Sequence, residues 1–251
     1  MFLLTWGDIR DVWTVVGKEI KELAVANGLN WFAALTTAVA LGVFGGLLPW
    51  FFGHAWIDRP LLIAIWLALP IPLVILASAE SFAGERERHT LETLLATRLS
   101  THAILLGKVV AATLFGWLAS LVVLAAGLFT VNLTHEHTTP HLYSLSGGAT
   151  ILGLGFLVAL FTACVGVLAS QDAANVRQAR ITLTLTISLI LVGVTAALIG
   201  VAYFLPGLAE LAALSPTVLL TAGATVLLVI ADLSLYTIAA IRFSRPRLIA
   251  C

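Results

Sequence analysis

The sequence predicts an all-α integral membrane protein with about six transmembrane helices. The chain of 251 residues is 60% hydrophobic and only 10% charged, whereas soluble domains are roughly 45–50% apolar. Its long apolar stretches approach the roughly 20 residues that a helix needs to cross a bilayer. Lys and Arg cluster between alternate stretches, which is typical of the cytoplasmic loops of membrane proteins. We therefore expect lipid to surround most of the chain.

Six apolar stretches have the length of a membrane span. They are rich in Leu, Ala, Val and Gly, which favours helices over the strands of a membrane barrel, because such strands alternate and run only about ten residues. We place the spans at about 31–52, 60–82, 104–131, 148–170, 181–204 and 217–241. The sequence thus predicts a single transmembrane domain over 1–251, with a six-helix bundle at 31–241.

The positive charges predict the orientation of the bundle. Every Lys and Arg except Arg59 lies on one side of it, and the loops at 132–147 and 206–216 contain neither residue. Because cytoplasmic loops carry the positive excess, we expect that side to face the cytoplasm, with both termini on it and the N-terminus retained. The expected location is the cytoplasmic membrane. The formal net charge is zero, so no overall field favours nucleic acid.

The segment at 8–27 precedes the first span and is amphipathic. Apolar residues recur at helical spacing, while charged residues, Glu19 among them, fill the other face. The apolar positions are Ile9, Val12, Trp13, Val16, Ile20 and Leu23. The pattern favours a helix that lies in the cytoplasmic membrane interface. The alternative is a soluble helix that packs on another subunit.

The loop at 83–100 concentrates charge between the second and third spans. Its leucines at 91, 94, 95 and 99 would form an apolar ridge on a short helix, flanked by Glu and Arg. Such a ridge suits docking in the groove of a partner. The alternative is a solvated helix end with charge pairs such as Glu85 with Arg88, each worth only tenths of a kcal/mol.

Three runs of this region resemble a known family. They are Ser81-Phe-Ala-Gly-Glu-Arg-Glu-Arg, then Thr90-Leu-Glu-Thr-Leu-Leu-Ala-Thr, then Leu106-Gly-Lys. They resemble the permease subunits of ABC-2-type transporters, particularly the NosY-like branch, and the resemblance extends to the interfacial helix and the six spans. It implies a type V exporter-like fold, in which the loop between spans two and three carries a coupling helix.

The resemblance also implies partners and contact residues. The coupling helix would dock on a separate ATP-binding cassette subunit, which holds ATP and Mg, and two permeases would sit on two cassettes. The implied coupling residues are Glu85, Arg86, Glu87, Arg88, Thr90, Leu91, Glu92, Leu94 and Leu95. A secondary cytoplasmic contact is implied at Asp172, Asn175 and Arg177.

Two residues of the loop depart from the pattern of the family. His89 stands where a Gly is common before the Thr, and Arg98 stands where a Pro often precedes the next helix. The docking role is compatible with both changes. They leave the ends of the coupling helix open.

No phosphate-binding motif is present in the chain. Gly17-Lys18 and Gly107-Lys108 lack the upstream Gly and the following Ser or Thr of a P-loop. We therefore expect no catalytic residue and no cofactor here, with ATPase activity on the partner subunit.

Two acidic residues lie within the predicted spans, where a charge is costly unless it is paired or hydrated. Asp232 is the deeper of the two, and a translocation path and a helix contact remain equal alternatives for it. Glu80 lies near the cytoplasmic end of the second span, which favours an ordinary interfacial position.

The outer loop contains three closely spaced histidines. His135, His137 and His141 are ligands that zinc and copper accept. Their spacing matches no standard metal site, so we favour a solvated polar loop and expect no metal.

Three functions follow from these observations. The first is a transport permease, and the resemblance of the chain to the ABC-2-type permeases favours export. The second is a mechanical transmitter that relays cassette motion to an extracytoplasmic accessory protein without transport. The third and weakest is an intramembrane hydrolase built on Glu80, Glu85 and a histidine. Nothing in the spans selects a cargo.

Overall fold

The computed structural model describes residues 6–29, 35, 38–39, 41–58, 65–134, 142–212 and 216–243. Within these ranges every regular element is a helix and none is a strand. A π-helical turn at Val43–Leu47 precedes α2. The helices are α1 (Trp6–Leu29), α2 (Leu48–Phe52), α3 (Ala55–Asp58), α4 (Pro70–Ser81), α5 (Ala83–Glu87), α6 (Leu91–Leu95), α7 (Thr101–Thr134), α8 (Leu145–Asp172), α9 (Val176–Ala212) and α10 (Pro216–Arg242).

Five helical segments are long and apolar enough to cross a membrane. They are Ile65–Glu87, Thr101–Thr134, Leu145–Asp172, Val176–Val194 and Thr221–Arg242. They overlap the second to sixth predicted spans, which confirms an all-helical membrane protein. In the stretch predicted as the first span, residues 31–34, 36–37 and 40 lie outside the described residues, and the described part at 35, 38–39 and 41–52 is helical. The count of six therefore stays a prediction.

The second span is interrupted by one residue at Leu69, directly before Pro70. The Leu69 amide still donates to the carbonyl of Ile65, at 3.1 Å. Pro70 has no amide hydrogen to continue this ladder, so α4 begins there as a new helix. The two segments together are long and apolar enough to cross a membrane.

The core lies between α4, α7 and α8, with α10 packed on α8. Val74, Ile104, Ala163 and Val167 are fully buried in it. At Gly166, an added methyl group would lie 2.5 Å from the Cβ of Ser78. Only glycine therefore allows α8 to approach α4 this closely, which brings the ends of both helices together at the Lys- and Arg-rich side.

The outer surfaces of α9 and α10 are apolar and exposed. Leu185, Leu189, Leu227 and Ile230 are each more than half exposed. Exposure of such faces to water would be unfavourable, whereas exposure to a bilayer is not, because the lipid tails are as apolar as leucine. These two helices are therefore suited to face lipid or another apolar helix.

Candidate functional site

Gly107 sets the position of α1 against the start of α7. A methyl group at Gly107 would lie 2.6 Å from the Cβ of Val15, so a larger residue would push the two helices apart. Val12 and Val16 of α1 pack against Ala103 and Ala111 on either side of this contact. The close approach places Lys108, the next residue of α7, within reach of the polar face of α1.

Lys108 is a buried cation whose charge is compensated by its own chain. Its Nζ donates hydrogen bonds to the carbonyl oxygen of Ser81, at 2.7 Å, and to Oε1 of Glu19, at 2.8 Å. It also forms an ion pair with Oε1 of Glu85, at 3.1 Å. The ring of Phe82 lies 4.9 Å away and adds a cation–π contact.

Lys18 joins the same cluster from its solvent side. Its Nζ lies 2.6 Å from Oε1 of Glu85 and 3.4 Å from Oε1 of Glu22. Partial burial lowers the pKa of Lys18, but the hydrogen bond to Glu85 and the charges of Glu85, Glu19 and Glu22 outweigh it, so the pKa is raised. Lys18 and Lys108 thus balance the carboxylates of Glu19 and Glu85, and we name these four residues the charge cluster.

The charge cluster changes the interpretation of two sequence expectations. Glu19 was expected on the solvated face of α1, but it is only 8% exposed, because Lys108 supplies a cation for it inside the protein. Glu85 was expected to contact a partner, yet it is 1% exposed and holds two lysines of its own chain. Helical spacing predicts the solvated position of Glu19 because it registers only polarity, whereas the partner contact of Glu85 is implied by the family resemblance. The Leu106-Gly107-Lys108 run was the sequence feature from which the burial of both glutamates could have been predicted.

A second set of contacts joins α5 to the end of α8. The hydroxyl oxygen of Ser170 accepts hydrogen bonds from the amides of Phe82 and Ala83, at 3.0 and 2.9 Å. It therefore caps the first amides of α5, as a polar side chain does at a helix N-terminus. These two buried hydrogen bonds hold the loop after α4 against α8.

Arg86 and Glu87 extend this junction to the start of α9. The guanidinium of Arg86 donates to the carbonyl oxygens of Ala173 and Gln171, the latter at 2.9 Å. Oε1 of Glu87 accepts from the amide of Val176, at 2.9 Å. A cation at the C-terminus of α8 and an anion at the N-terminus of α9 both complement the helix dipoles. We name Arg86, Glu87 and Ser170 the loop clamp.

The loop clamp brings together two contact regions that were predicted separately. Glu87, Arg88 and Thr90 are exposed in the first loop. Asp172, Asn175 and Arg177 are exposed in the second. The two loops therefore form one polar surface at the Lys- and Arg-rich side of the bundle, which we name the joint surface.

The leucines of the predicted ridge lie mostly beneath this surface. Leu91 is 5% exposed, and Leu94 and Leu99 are partly buried against the same core cluster as Phe82 and Ile104. They fix α6 to its own bundle. The side chains of Glu92 and Leu95 lie outside the described residues.

His89 occupies a left-handed backbone conformation at the end of α5, with φ of 55°. The amide of Thr90 donates to the carbonyl oxygen of Glu85, at 2.9 Å, which is the long hydrogen bond of a Schellman helix end. Glycine adopts this conformation without a Cβ penalty. The geometry gives a physical reason for the glycine that the family resemblance implies at this position.

The two acidic residues predicted inside the spans differ in their surroundings. Oε1 of Glu80 lies 3.6 Å from Nη2 of Arg180, and both side chains are partly exposed. Asp232 is 5% exposed in the seam between α8 and α10, near Cys164. Its two carboxylate oxygens have no hydrogen-bond partner among the described residues.

The predicted metal candidates cannot be placed in this site. His135, His137 and His141 lie outside the described residues. Across the part of the chain that the structure describes, no three His, Cys, Asp or Glu side chains form a group that could hold a metal ion.

Comparison with known proteins agrees with this architecture. Residues 10–229 match the family described as ABC-2 type transporter. A curated relative, the ABC transporter permease protein NatB of Bacillus subtilis strain 168, is 29% identical over 141 residues, which is 50% of this chain and 36% of the relative. This alignment thus spans little more than a third of the relative's length. The family match covers most of the chain, both loops of the joint surface included, and the protein therefore belongs to the ABC-2 type transporter family.

Proposed function

We propose that this protein is the permease subunit of an ABC transporter, and that it couples ATP hydrolysis on a separate cassette subunit to export across the cytoplasmic membrane. The joint surface carries the proposal, because the loop clamp ties two exposed loops of an ABC-2 family member into one docking unit. ATP and Mg would bind on the cassette. The complex would contain two cassettes and two permeases.

The charge distribution supports the proposed orientation. The joint surface contains Arg88 and Arg177 and lies on the side that holds every Lys and Arg except Arg59. That side faces the cytoplasm by the positive-inside rule. With six spans, both termini share it, and the exposed residues Ile9, Trp13 and Ile20 of α1 would rest in the interface.

The contacts also support a route for transmission of force. Exposed residues of the joint surface would contact the cassette, while Arg86 and Glu87 pass its displacement to α8 and α9. Glu85 and Lys108 pass the same displacement to α7, and Glu19 passes it to α1. Nucleotide would bias the two conformations by binding them with different affinity.

Among the predicted coupling residues, we divide the roles by exposure. Glu87, Arg88 and Thr90 are the exposed contacts, with Asp172, Asn175 and Arg177 beside them. Glu85, Arg86, Leu91 and Leu94 position the loop from within. Glu92 and Leu95 remain proposed contacts on the sequence resemblance, as does membership of the NosY-like branch.

Charge reversals at exposed residues test the proposal without disturbing the core. We would co-express the chain with the cassette protein encoded beside it, purify through a tag on the permease, and measure cassette recovery and ATPase stimulation. Arg88→Glu and Arg177→Glu should each reduce both quantities at least several-fold. Lys21→Glu, on the exposed face of α1, is the matched control and should change neither. Equal recovery from all three variants would place the cassette contact elsewhere.

Transport itself needs a second assay. ATP-driven movement of a solute into inside-out vesicles that contain the complex supports export. The absence of any movement, with cassette stimulation intact, would instead favour the mechanical transmitter.

A further inference from the structure

Asp232 is a buried carboxyl group that the proposed coupling route does not use. It lies on α10, ten residues before Arg242 at the end of that helix, or about 15 Å along the axis at 1.5 Å per residue. Only 5% of its surface is exposed, and neither carboxylate oxygen has a hydrogen-bond partner among the described residues. An orphaned acid at this depth requires a chemical explanation.

No cation of the described chain faces Asp232. From α8 the facing titratable group is the thiol of Cys164, which also interacts with the hydroxyl of Tyr236, one turn further along α10. Helices α7 and α9 also contact α10. The charged and imidazole side chains described on α7, α8 and α9 lie at the Lys- and Arg-rich ends of these helices: His102, Lys108, Asp172, Arg177 and Arg180.

An ionised carboxylate in this seam would be strongly destabilising. A lone charge inside the membrane costs several kcal/mol unless it is paired or hydrated. A neutral carboxylic acid avoids most of that cost and can donate a hydrogen bond to a nearby backbone carbonyl. Some positive species must therefore neutralise Asp232 while α8 and α10 are packed.

The groups around Asp232 distinguish the candidate cations. A metal ion such as calcium takes six to eight oxygen ligands, and the described residues offer no group of three or more metal-binding side chains. An organic cation needs a cavity, and the groove described on α10 is lined by Ala222, Gly223, Val226, Leu227 and Ile230, without Asp232. A proton needs no additional volume.

We infer that Asp232 is a proton-binding site of the α8–α10 seam. It is a neutral acid while the seam is closed, and it releases its proton when the seam opens to water. In that step the O–H bond of the acid breaks, a water molecule takes the proton to form hydronium, and the carboxylate remains hydrated. Protonation of Asp232 in the closed state follows from its surroundings in the seam and does not depend on the proposed function. The release step rests on the proposed transport cycle.

Infrared spectroscopy of the permease in lipid nanodiscs tests the closed state. We would label the side-chain carboxyl carbon of aspartate with carbon-13 and record spectra at neutral pH. The wild-type protein should show a protonated-carboxyl C=O band that moves on labelling. The band should be absent from Asp232→Asn and retained in Asp172→Asn, the matched control at the exposed end of α8. The absence of a label-sensitive band from the wild type, or its persistence in Asp232→Asn, would overturn the inference.

Two additions keep the test decisive. If Asp232→Asn does not fold, the labelled wild type alone decides, and Asp232→Glu should move the band from the aspartate label to a glutamate label. For the release step, the intact complex is trapped with a non-hydrolysable ATP analogue, which should reduce the band. An unchanged band in the trapped complex would overturn release. A failed cassette-binding test with the resting band intact would instead reject the proposed function and leave the protonation site standing.

Discussion

Nζ of Lys108 on α7 and Oε1 of Glu85 on α5 lie 3.1 Å apart, with both side chains almost completely buried. The same lysine binds Glu19 of α1. One cation therefore joins the predicted interfacial helix, the predicted coupling loop and the start of the third span. Because the pair is buried, removal of one partner should destabilise the protein more than the loss of an exposed ion pair would.

Lys108→Met should destabilise the permease by about 3–5 kcal/mol, because it leaves the carboxylates of Glu19 and Glu85 buried with less compensation. Thermal unfolding of the purified protein in detergent measures this loss. Lys18→Met is the matched control and should cost less, since Lys18 is 39% exposed at its side chain. Equal losses from the two variants would show that burial of Lys108 does not control the cluster.

Gly107→Ala should separate α1 from α7, because the added methyl group would meet Val15 at 2.6 Å. Overpacking of this kind costs typically about 1–3 kcal/mol. Gly17→Ala on α1 is the control, since nothing lies within 4 Å of its added Cβ, and it should gain up to about 1 kcal/mol from helix propensity. Opposite signs in thermal unfolding are expected; a stabilising Gly107→Ala would contradict the helix contact.

His89→Gly should stabilise the end of α5 by about 1 kcal/mol, because glycine adopts the left-handed conformation without a steric penalty. His89 is exposed, so little packing is lost. His89→Ala removes the same imidazole but keeps the Cβ, and it should give no gain. A thermal unfolding series of the three proteins separates the backbone effect from any role of the imidazole.

Arg86→Gln should uncouple the two loops without removing the docking residues. The guanidinium donates to two carbonyl oxygens at the end of α8, and a glutamine amide is too short to span both. We expect cassette recovery to persist while ATPase stimulation falls. Arg88→Glu should reduce recovery as well. Full stimulation in Arg86→Gln would show that the loop clamp does not transmit force.

Hydropathy predicted the spans because burial in lipid acts on whole stretches of about 20 residues. The distribution of positive charge also indicated both loops of the joint surface, because Arg88 and Arg177 lie in them. Periodicity could not identify the charge cluster, because it separates polar from apolar residues and Glu19 and Glu85 are polar residues that are buried. Their burial depends on Lys108, which is distant in sequence and reaches Glu19 because Gly107 lets α1 approach α7.

The left-handed conformation of His89 illustrates the opposite case. The sequence showed only that histidine replaces a common glycine. The backbone geometry gives the reason, since the hydrogen bond from Thr90 to Glu85 closes the helix in a conformation that glycine favours.

Site-directed cross-linking to the cassette tests the joint surface most directly. Thr90→Cys and Asn175→Cys would be introduced separately in a chain with Cys251→Ser, and each would be treated with a short thiol-to-amine reagent in the co-expressed complex. Our account predicts that both positions cross-link to the same cassette subunit, whereas Lys21→Cys does not. Cross-linking from Lys21→Cys alone, or from only one of the two loops, would contradict a single coupling surface formed by both loops.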